Sequence, residues 1–508
     1  VLVAEGGQYL FTYDSEACSA AEVSLLMPVR AQQYAYRELH PIFQMNMPEG
    51  YVLEQLRQRF AKTTPFDPLL LLAITGRTAP IGRVHIEADV AATPGSAPRG
   101  ERLSDILAWD GAESIFDALA ERYLLRSGVS GVQPKLLVPE TMDSGKVAIA
   151  TSELIVKSGG GDYPGLAVNE YLCMSIAREA GVPVPEFFLS DDGELFVMRR
   201  FDRERDGRAL GFEDMAVLTG RGAQQKYEGS YEQIGKAVQL FCSEDAQRAA
   251  LDQLFDQVAL SCIVGNGDAH LKNFGVLYSD PHANDVRMSP AFDIVCTTAY
   301  LPDDPLALTL GGSKSMFAAR VFLHDFAERF DVEHPARRID RLLTAAHDVL
   351  ARERELLGFY PKVQAGLTRA VALFAQHTKP AMAMPSVAFL AITIDTSKAA
   401  FQDIGRNIEL ARLLDVAAEH LADAGDAAPL VLVDTNGNTV GGMQRVAHVP
   451  EDGVELPIFR AVIPADGDAA QRLSEMAAEQ RAAVVEPDDA PMQPEGGDAM
   501  LRGSRCSL

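Results

Sequence analysis

Residues 265–275 read GNGDAHLKNFG, and Asn266, Asp268, His270, Lys272 and Asn273 place an acid, a cation, an imidazole and two amides in one short stretch. The stretch lies between two apolar runs, and a lone acid, Asp293, follows in the frame AFDIV. This set suits magnesium-assisted phosphoryl transfer. Asp268 would accept or orient the proton of an attacking hydroxyl, Asn273 and Asp293 would offer oxygens to the metal, and Lys272 would neutralise the transferring group. General-base help of this kind is typically worth about 10² to 10⁴ in rate. The same residue types also make an ordinary polar turn. Asp293 favours the chemical reading, because an acid in an apolar run needs a cation or donors to offset its desolvation. His270 stands without a second histidine nearby, which suits a structural or phosphate-side role better than metal ligation.

Other stretches carry weaker signals. Lys157 closes the strand-like ELIVK, and Glu170 lies early on the helix that follows. In kinase-like folds a strand lysine binds phosphates and a helix acid orients it. A surface lysine and an acid on a solvated face fit equally well. Ser130, Gly131, Val132, Gln133, Pro134 and Lys135 follow Ser127 and Gly128. Small residues before a strand let backbone N–H groups approach phosphate oxygens, and they also make plain turns. Neither this stretch nor GGSKS at 311–315 has the GxxxxGKS/T spacing, which argues against a Walker ATPase. SGGG at 158–161 reads as a turn or mobile loop. Arg199, Arg200 and Phe201, in MRRFDR, are placed to link two lobes, where an adenine ring would bond to backbone. Arg200 and Arg203 equally suit surface pairing with Asp202 or Glu204. Zinc patterns and a GxSxG elbow do not occur.

The elements around these residues fall into segments. Residues 1–100 read as a small α+β subdomain, with strands near 9–13 and 81–86, helices over 52–60 and from 68, and a linker at 91–100. Residues 101–200 form a β-rich lobe. Its strands are expected at 135–139, 154–157, 187–189 and 195–198. A helix over 166–180 carries the stripe Val168, Tyr171, Leu172 and Ile176. Gly181 stops that helix and Pro183 holds the exit extended. Residues 201–378 are mostly helical, and the stripe Leu251, Leu254, Phe255, Val258, Cys262 leads into the loop at 265. A β-rich half followed by a helical half gives an α+β, two-lobed, protein-kinase-like outline. A second linker is expected at 379–386. Residues 387–466 then read as a βαββ module, with strands at 387–394, 430–433 and 439–440 around a helix within 401–424. A helix and a disordered acidic tail complete the chain over 467–508.

The 508 residues are too many for one core. A net charge of -25 argues against a free-standing nucleic-acid binder, though not against a basic pocket or a DNA-binding partner. The six cysteines form no CxxC pair and read as buried free thiols. No signal peptide or membrane-length apolar run is visible, so a cytoplasmic, non-membrane protein is expected. The chain opens on Val1 rather than Met, and a start upstream of it is expected.

Taken together, FQMNMPEG (43–50), SGVQPKLLV (130–138), LIVK (154–157), NEYLCMSIAREAGVPVPE (169–186), RRFDR (199–203), NGDAHLKNFG (266–275) and SPAFDIV (289–295) resemble the HipA-like serine/threonine kinases, the toxins of toxin–antitoxin pairs. The segments fall in the family's order and span roughly residues 1–378. The resemblance implies that Asp268 is the catalytic aspartate and that Asn273 and Asp293 are magnesium ligands. It makes Lys157 the phosphate-binding lysine and Glu170 its helix partner. Ser130, Gly131, Val132, Gln133, Pro134 and Lys135 become the nucleotide-covering loop, and Arg199, Arg200 and Phe201 the adenine hinge. His270 and Lys272 would lie against the phosphates. It further implies ATP and Mg²⁺ as cofactors, protein serine as acceptor, and arrest of translation through a protein such as an aminoacyl-tRNA synthetase, with persistence as the cellular outcome. A helix-turn-helix antitoxin, and operator DNA through it, would be partners. Many members carry a regulatory serine where this chain has Gly128, so inhibition by autophosphorylation there is not expected to carry over. Residues 387–445 depart from the usual kinase and resemble small bacterial proteins of unknown role. A small-molecule kinase of related fold, and an inactive scaffold or co-repressor, are the rival readings.

Overall fold

The computed structural model describes residues 1–376 except 61–66, 77–79, 89–99, 112–113, 125–126, 128–132, 145–146, 161–162, 205 and 317–318. Beyond 376 it describes only short strands. Residues 1–377 and 378–508 form two compact units.

The first unit begins with three antiparallel strands, β1 (Leu2–Glu5), β2 (Gln8–Phe11) and β3 (Tyr34–Tyr36), paired in that order. Helices α1 (Pro41–Gln44), α2 (Gly50–Phe60) and α3 (Pro68–Thr75) follow. Asp67 starts α3 by accepting from the Leu69 N–H at 2.7 Å, and Pro68 sits where a helix has no use for an N–H. The strand expected at 81–86 does not form. Its backbone is engaged by side chains instead: Ile81 N donates to Asn46 at 2.6 Å and Gly82 N to Asp202 at 2.7 Å.

Helices α4 (Leu103–Leu107) and α5 (Ile115–Tyr123) lead to a four-stranded antiparallel sheet. Its strands are β4 (Lys135–Ser144), β5 (Val147–Ser158), β6 (Phe187–Leu189) and β7 (Leu195–Arg199), in the order β4-β5-β7-β6, with α6 (Leu166–Glu179) between β5 and β6. The hairpin of β4 and β5 runs further than the apolar cores of those strands suggested. Alternation sorts the sheet's side chains. Leu136, Val138, Leu154 and Val156 face Phe116 and Leu119 of α5, while Leu137, Ile155, Phe196 and Met198 share a core with α6 and the helices beyond. Lys135 and Lys157 are register partners, and the same alternation puts both on the second face.

Past β7 come β8 (Gly211–Asp214), α7 (Met215–Leu218), α8 (Tyr231–Phe241), α9 (Glu244–Val264), β9 (Gly275–Tyr278) and β10 (Arg287–Met288). Helices α10 (Ala319–Arg329), α11 (Pro335–Arg352), α12 (Arg354–Gly358) and α13 (Pro361–Gln376) end the unit. β8, β9 and β10 form a small sheet with β9 in the middle. A β-rich segment is thus followed by a mostly helical one. The N-terminal strands are not free-standing, because Phe11, Met27 and Phe43 share a core with Phe212, Val217 and Leu277. Glu213, fully buried, fastens the same boundary by accepting from Ser24 Oγ at 2.6 Å, Leu25 N at 2.8 Å and Tyr278 OH at 2.7 Å.

Cys173, Cys242, Cys262 and Cys296 are buried free thiols, whereas Cys18 is exposed. Among the described residues no helix is long and apolar enough to cross a membrane.

In the second unit, Leu430–Val433, Thr439–Val446, Ile458–Val462 and Asp498–Met500 form an antiparallel sheet in that order. Leu390–Ala391 pairs separately with Arg502–Gly503. The helix expected within 401–424 and the linkers at 91–99 and 379–386 lie outside the described residues. Within the end expected to be disordered, the strand at 498–500 pairs with Ile458–Val462 and the strand at 502–503 with Leu390–Ala391.

Candidate active site

The loop at 265–275 joins α9 to β9. Gly265 ends α9 in the left-handed region at φ 70°, and its N–H caps the Ser261 carbonyl. A Cβ there would sit 2.2 Å from Thr298 Oγ1, so both the turn and the packing select glycine. Beyond it, the Asn266 side chain accepts from the Asp268 N–H at 3.0 Å, and Thr297 Oγ1 accepts from the Gly267 N–H at 2.8 Å. The backbone of Asp268 is therefore fixed from two sides, since His270 N and Asn273 Nδ2 both donate to its carbonyl, at 2.8 and 3.2 Å.

A cleft of about 770 Å³ opens over this loop. Lys135, Lys157, Asp268, His270, Lys272, Asn273 and Asp293 line it, as do Met198, Arg200 and Phe201. Asp293 adopts φ 60°. Asp is among the few side chains tolerated in that region, and such strain gathers at functional sites.

Lys157 is the centre of the charge arrangement. Its ammonium lies 2.5 Å from Glu170 and 2.5 Å from Asp293, and it is 2% exposed. The surface reading of this pair is thereby overturned: Glu170 is fully buried, because α6 is enclosed between the sheet and the helices. Burial alone would depress the lysine, but Asp293 and Glu170 more than offset it and hold it above its ordinary value. Burial would likewise raise Asp293, yet Lys157 and Lys135 carry it below the usual carboxylate range. Glu170 takes the desolvation cost. Its Oε2 has no hydrogen-bond partner among the described residues, and burial pushes its carboxyl up to about 7 against the pull of Lys157. Lys135 is depressed by burial, with Asp293 acting against that.

Asp268 stands at the mouth, its side chain 46% exposed. The surrounding walls still desolvate it enough to raise its carboxyl, while a hydrogen bond from Tyr227 works the other way. Burial, and then Lys226, lower His270 to about 3. Its Nδ1 is buried without a partner among the described residues. Asn273 Nδ2 also donates to the Asp293 carbonyl at 3.3 Å, and among the described residues no hydrogen bond uses the Asn273 side-chain oxygen or Asp293 Oδ2. No group of three or more His, Cys, Asp or Glu that could hold a metal occurs among the described residues. Magnesium does not require one, because it usually takes one or two carboxylates together with phosphate oxygens and water. The donor set of one carboxylate and one amide oxygen fits that habit.

Ser130, Gly131 and Val132 lie outside the described residues, whereas Gln133, Pro134 and Lys135 line the cleft. Gly159 and Gly160, read as a turn, line it too. Arg199 does not: its guanidinium pairs with Glu140 at 2.6 Å and with Glu186, and alternation along β7 puts it on the face of Leu195 and Val197. Arg200 pairs with Asp202 at 2.6 Å and with Glu153, but in the interior rather than on the surface. Glu204 pairs with Arg208 instead. Phe201 packs between Phe212 and Phe292.

Two contacts had no signal in the sequence. Tyr227 OH donates to Asp268 Oδ1 at 2.8 Å. Glu49, just ahead of α2, accepts from Lys272 at 2.6 Å.

Two family models match the chain: the HipA N-terminal domain over residues 1–87 and the HipA-like C-terminal domain over residues 127–351. Together they cover more than half of it. The chain is 29% identical over 300 residues to the putative kinase Y4dM of Sinorhizobium fredii, spanning 55% of this chain and 67% of that one. It is 28% identical over 356 residues to the putative kinase Y4mE of the same organism, spanning 66% and 83%. A solved structure of HipA from Shewanella oneidensis with HipB and its operator DNA aligns at a TM-score of 0.48 and 19% identity, over 66% of this chain and 84% of that chain.

Proposed function

We propose, for a chain that belongs to the HipA-like kinase family, that it transfers the terminal phosphoryl group of ATP to serine or threonine hydroxyls of a protein. The observation that carries this is the buried Lys157, held between Glu170 and Asp293 in a cleft whose mouth is marked by Asp268. Asp268 would accept the proton of the attacking hydroxyl. The hydroxyl oxygen then bonds to the γ-phosphorus, and the bond to the bridging oxygen breaks, releasing ADP. Lys157 would hold the α/β-phosphates, with Glu170 keeping it in place. Lys272 and His270 line the phosphate end. Asn273 and Asp293 would hold magnesium, which when bound offsets phosphate charge. Arg200, Phe201 and the neighbouring backbone would border the adenine. Lys135, Lys157, Arg200, Lys226 and Lys272 line the cleft beside Asp202, Asp214, Asp268, Asp293 and Asp304, so its lining balances in charge on a chain of net charge -25 and offers lysines to a polyanionic nucleotide.

Family membership supports a toxin role, with a helix-turn-helix antitoxin as partner and operator DNA reached through it. Such a partner would supply a basic DNA-binding surface to a chain whose net charge is -25. A translation protein, an aminoacyl-tRNA synthetase for instance, is the proposed target. Phosphoproteomics after brief expression tests the reading. New phosphoserine or phosphothreonine on a translation protein is expected with wild type and not with Asp268→Ala. Growth arrest of equal depth with both, and no new phosphosite, would refute it.

A further inference from the structure

Tyr227 lies on the segment between α7 and α8, and its hydroxyl donates to Asp268 Oδ1 at 2.8 Å. It is the same kind of group, making the same kind of bond, as the hydroxyl Asp268 would deprotonate. Its segment is stapled to the catalytic loop, with the Leu271 N–H donating to the Lys226 carbonyl at 3.1 Å. The ring stands edge-on to His270 at 5.1 Å between centroids, and the Lys226 ammonium lies 5.1 Å from its centroid. We propose that Tyr227 is a resident hydroxyl guarding Asp268: it keeps water off the accepting oxygen until a protein hydroxyl displaces it. This rests on the reading of Asp268 as the proton acceptor.

Three observations favour a guard over a residue that merely orients the acid. The backbone of Asp268 is already held by Asn266, His270 and Asn273, so the placement of the residue in the loop does not depend on the tyrosine. Tyr227 is the one hydrogen-bond donor to the Asp268 carboxylate among the described residues. The ring is 43% exposed, so it can turn outward without leaving a large buried void. The function of a guard is chemical. A water on Asp268 would attack the γ-phosphorus in place of the acceptor and waste ATP as ADP and phosphate.

The test measures magnesium-dependent ATP hydrolysis without acceptor, and then transfer to the protein substrates of a lysate, for wild type, Tyr227→Phe, Asp268→Ala and the double variant. Losing a hydrogen bond to a charged group corresponds to about tenfold in rate, so Tyr227→Phe is expected to hydrolyse ATP about tenfold faster than wild type. The double variant should lose that gain. Tyr227→Phe should also show a lower KM for the protein acceptor at similar kcat, a split that a packing defect would not produce. Where wild type labels protein and Asp268→Ala does not, hydrolysis at or below the wild-type rate overturns the guard, as does a fall in kcat with KM unchanged. If wild type labels nothing, or Asp268→Ala labels equally, the reading beneath the proposal has failed and the guard falls with it.

Discussion

At the scale of single residues the site is a problem of buried charge. Lys157 touches two carboxylates, and Glu170 keeps one oxygen without a partner among the described residues. Breaking one member of a buried ion cluster typically costs about 3–5 kcal/mol, because the remaining charges lose their compensation. Lys157→Met is expected to show a loss of that order in denaturant unfolding and to lose ATP binding. Adding Glu170→Gln should return part of the stability and none of the binding. A double variant that binds ATP normally would remove Lys157 from the phosphate site. Asp293 was marked in the sequence as a lone acid in an apolar run, which burial forces to find partners, whereas the strand-end position of Lys157 fitted a surface lysine equally well. Tyr227 was not legible: its contact with Asp268 spans 41 residues and follows no helical or strand period.

At the scale of elements, the loop at 265–275 depends on what brackets it. α9 supplies a buried post that Gly265 ends, and β9 leaves the loop in the middle of a small sheet. Both were readable, from the apolar stripe of α9 and the apolar run after the loop. The residue just ahead of α2 makes a contact that no periodicity announced, because Glu49 reaches Lys272 across 223 residues of chain. This contact ties the N-terminal segment to the part of the cleft that Lys272 lines. Glu49→Gln is expected to lower kcat about tenfold, the equivalent of one charge-assisted hydrogen bond. Combined with Lys272→Met it should add little beyond Lys272→Met alone, since contacting residues act as a unit. Strict additivity of the two changes in kcat would show that the contact has no part in the reaction. The strand expected at 81–86 fails to form for a related reason. Its β-branched residues fit a strand, yet Asn46 and Asp202 take its N–H groups, and neither is a sequence neighbour.

At the scale of the whole molecule, the β-rich segment followed by a helical one was foreseen from the order of periodicities. The shared core between the first strands and β8, α7 and β9 was not, because contacts so far apart in sequence leave no local trace. The strong negative charge and a nucleotide cleft are compatible: the charge is summed over the whole chain, whereas the cleft lining sets five cations against five aspartates. The central claim is that this cleft moves a phosphoryl group with Asp268 as the proton acceptor. The most direct measurement incubates purified wild type and Asp268→Ala with γ-labelled ATP, magnesium and a cell lysate, and counts label on protein. Wild type is expected to label discrete bands and Asp268→Ala to fall by at least about 10², the lower range for a lost general base. Equal labelling by the two proteins would contradict the account.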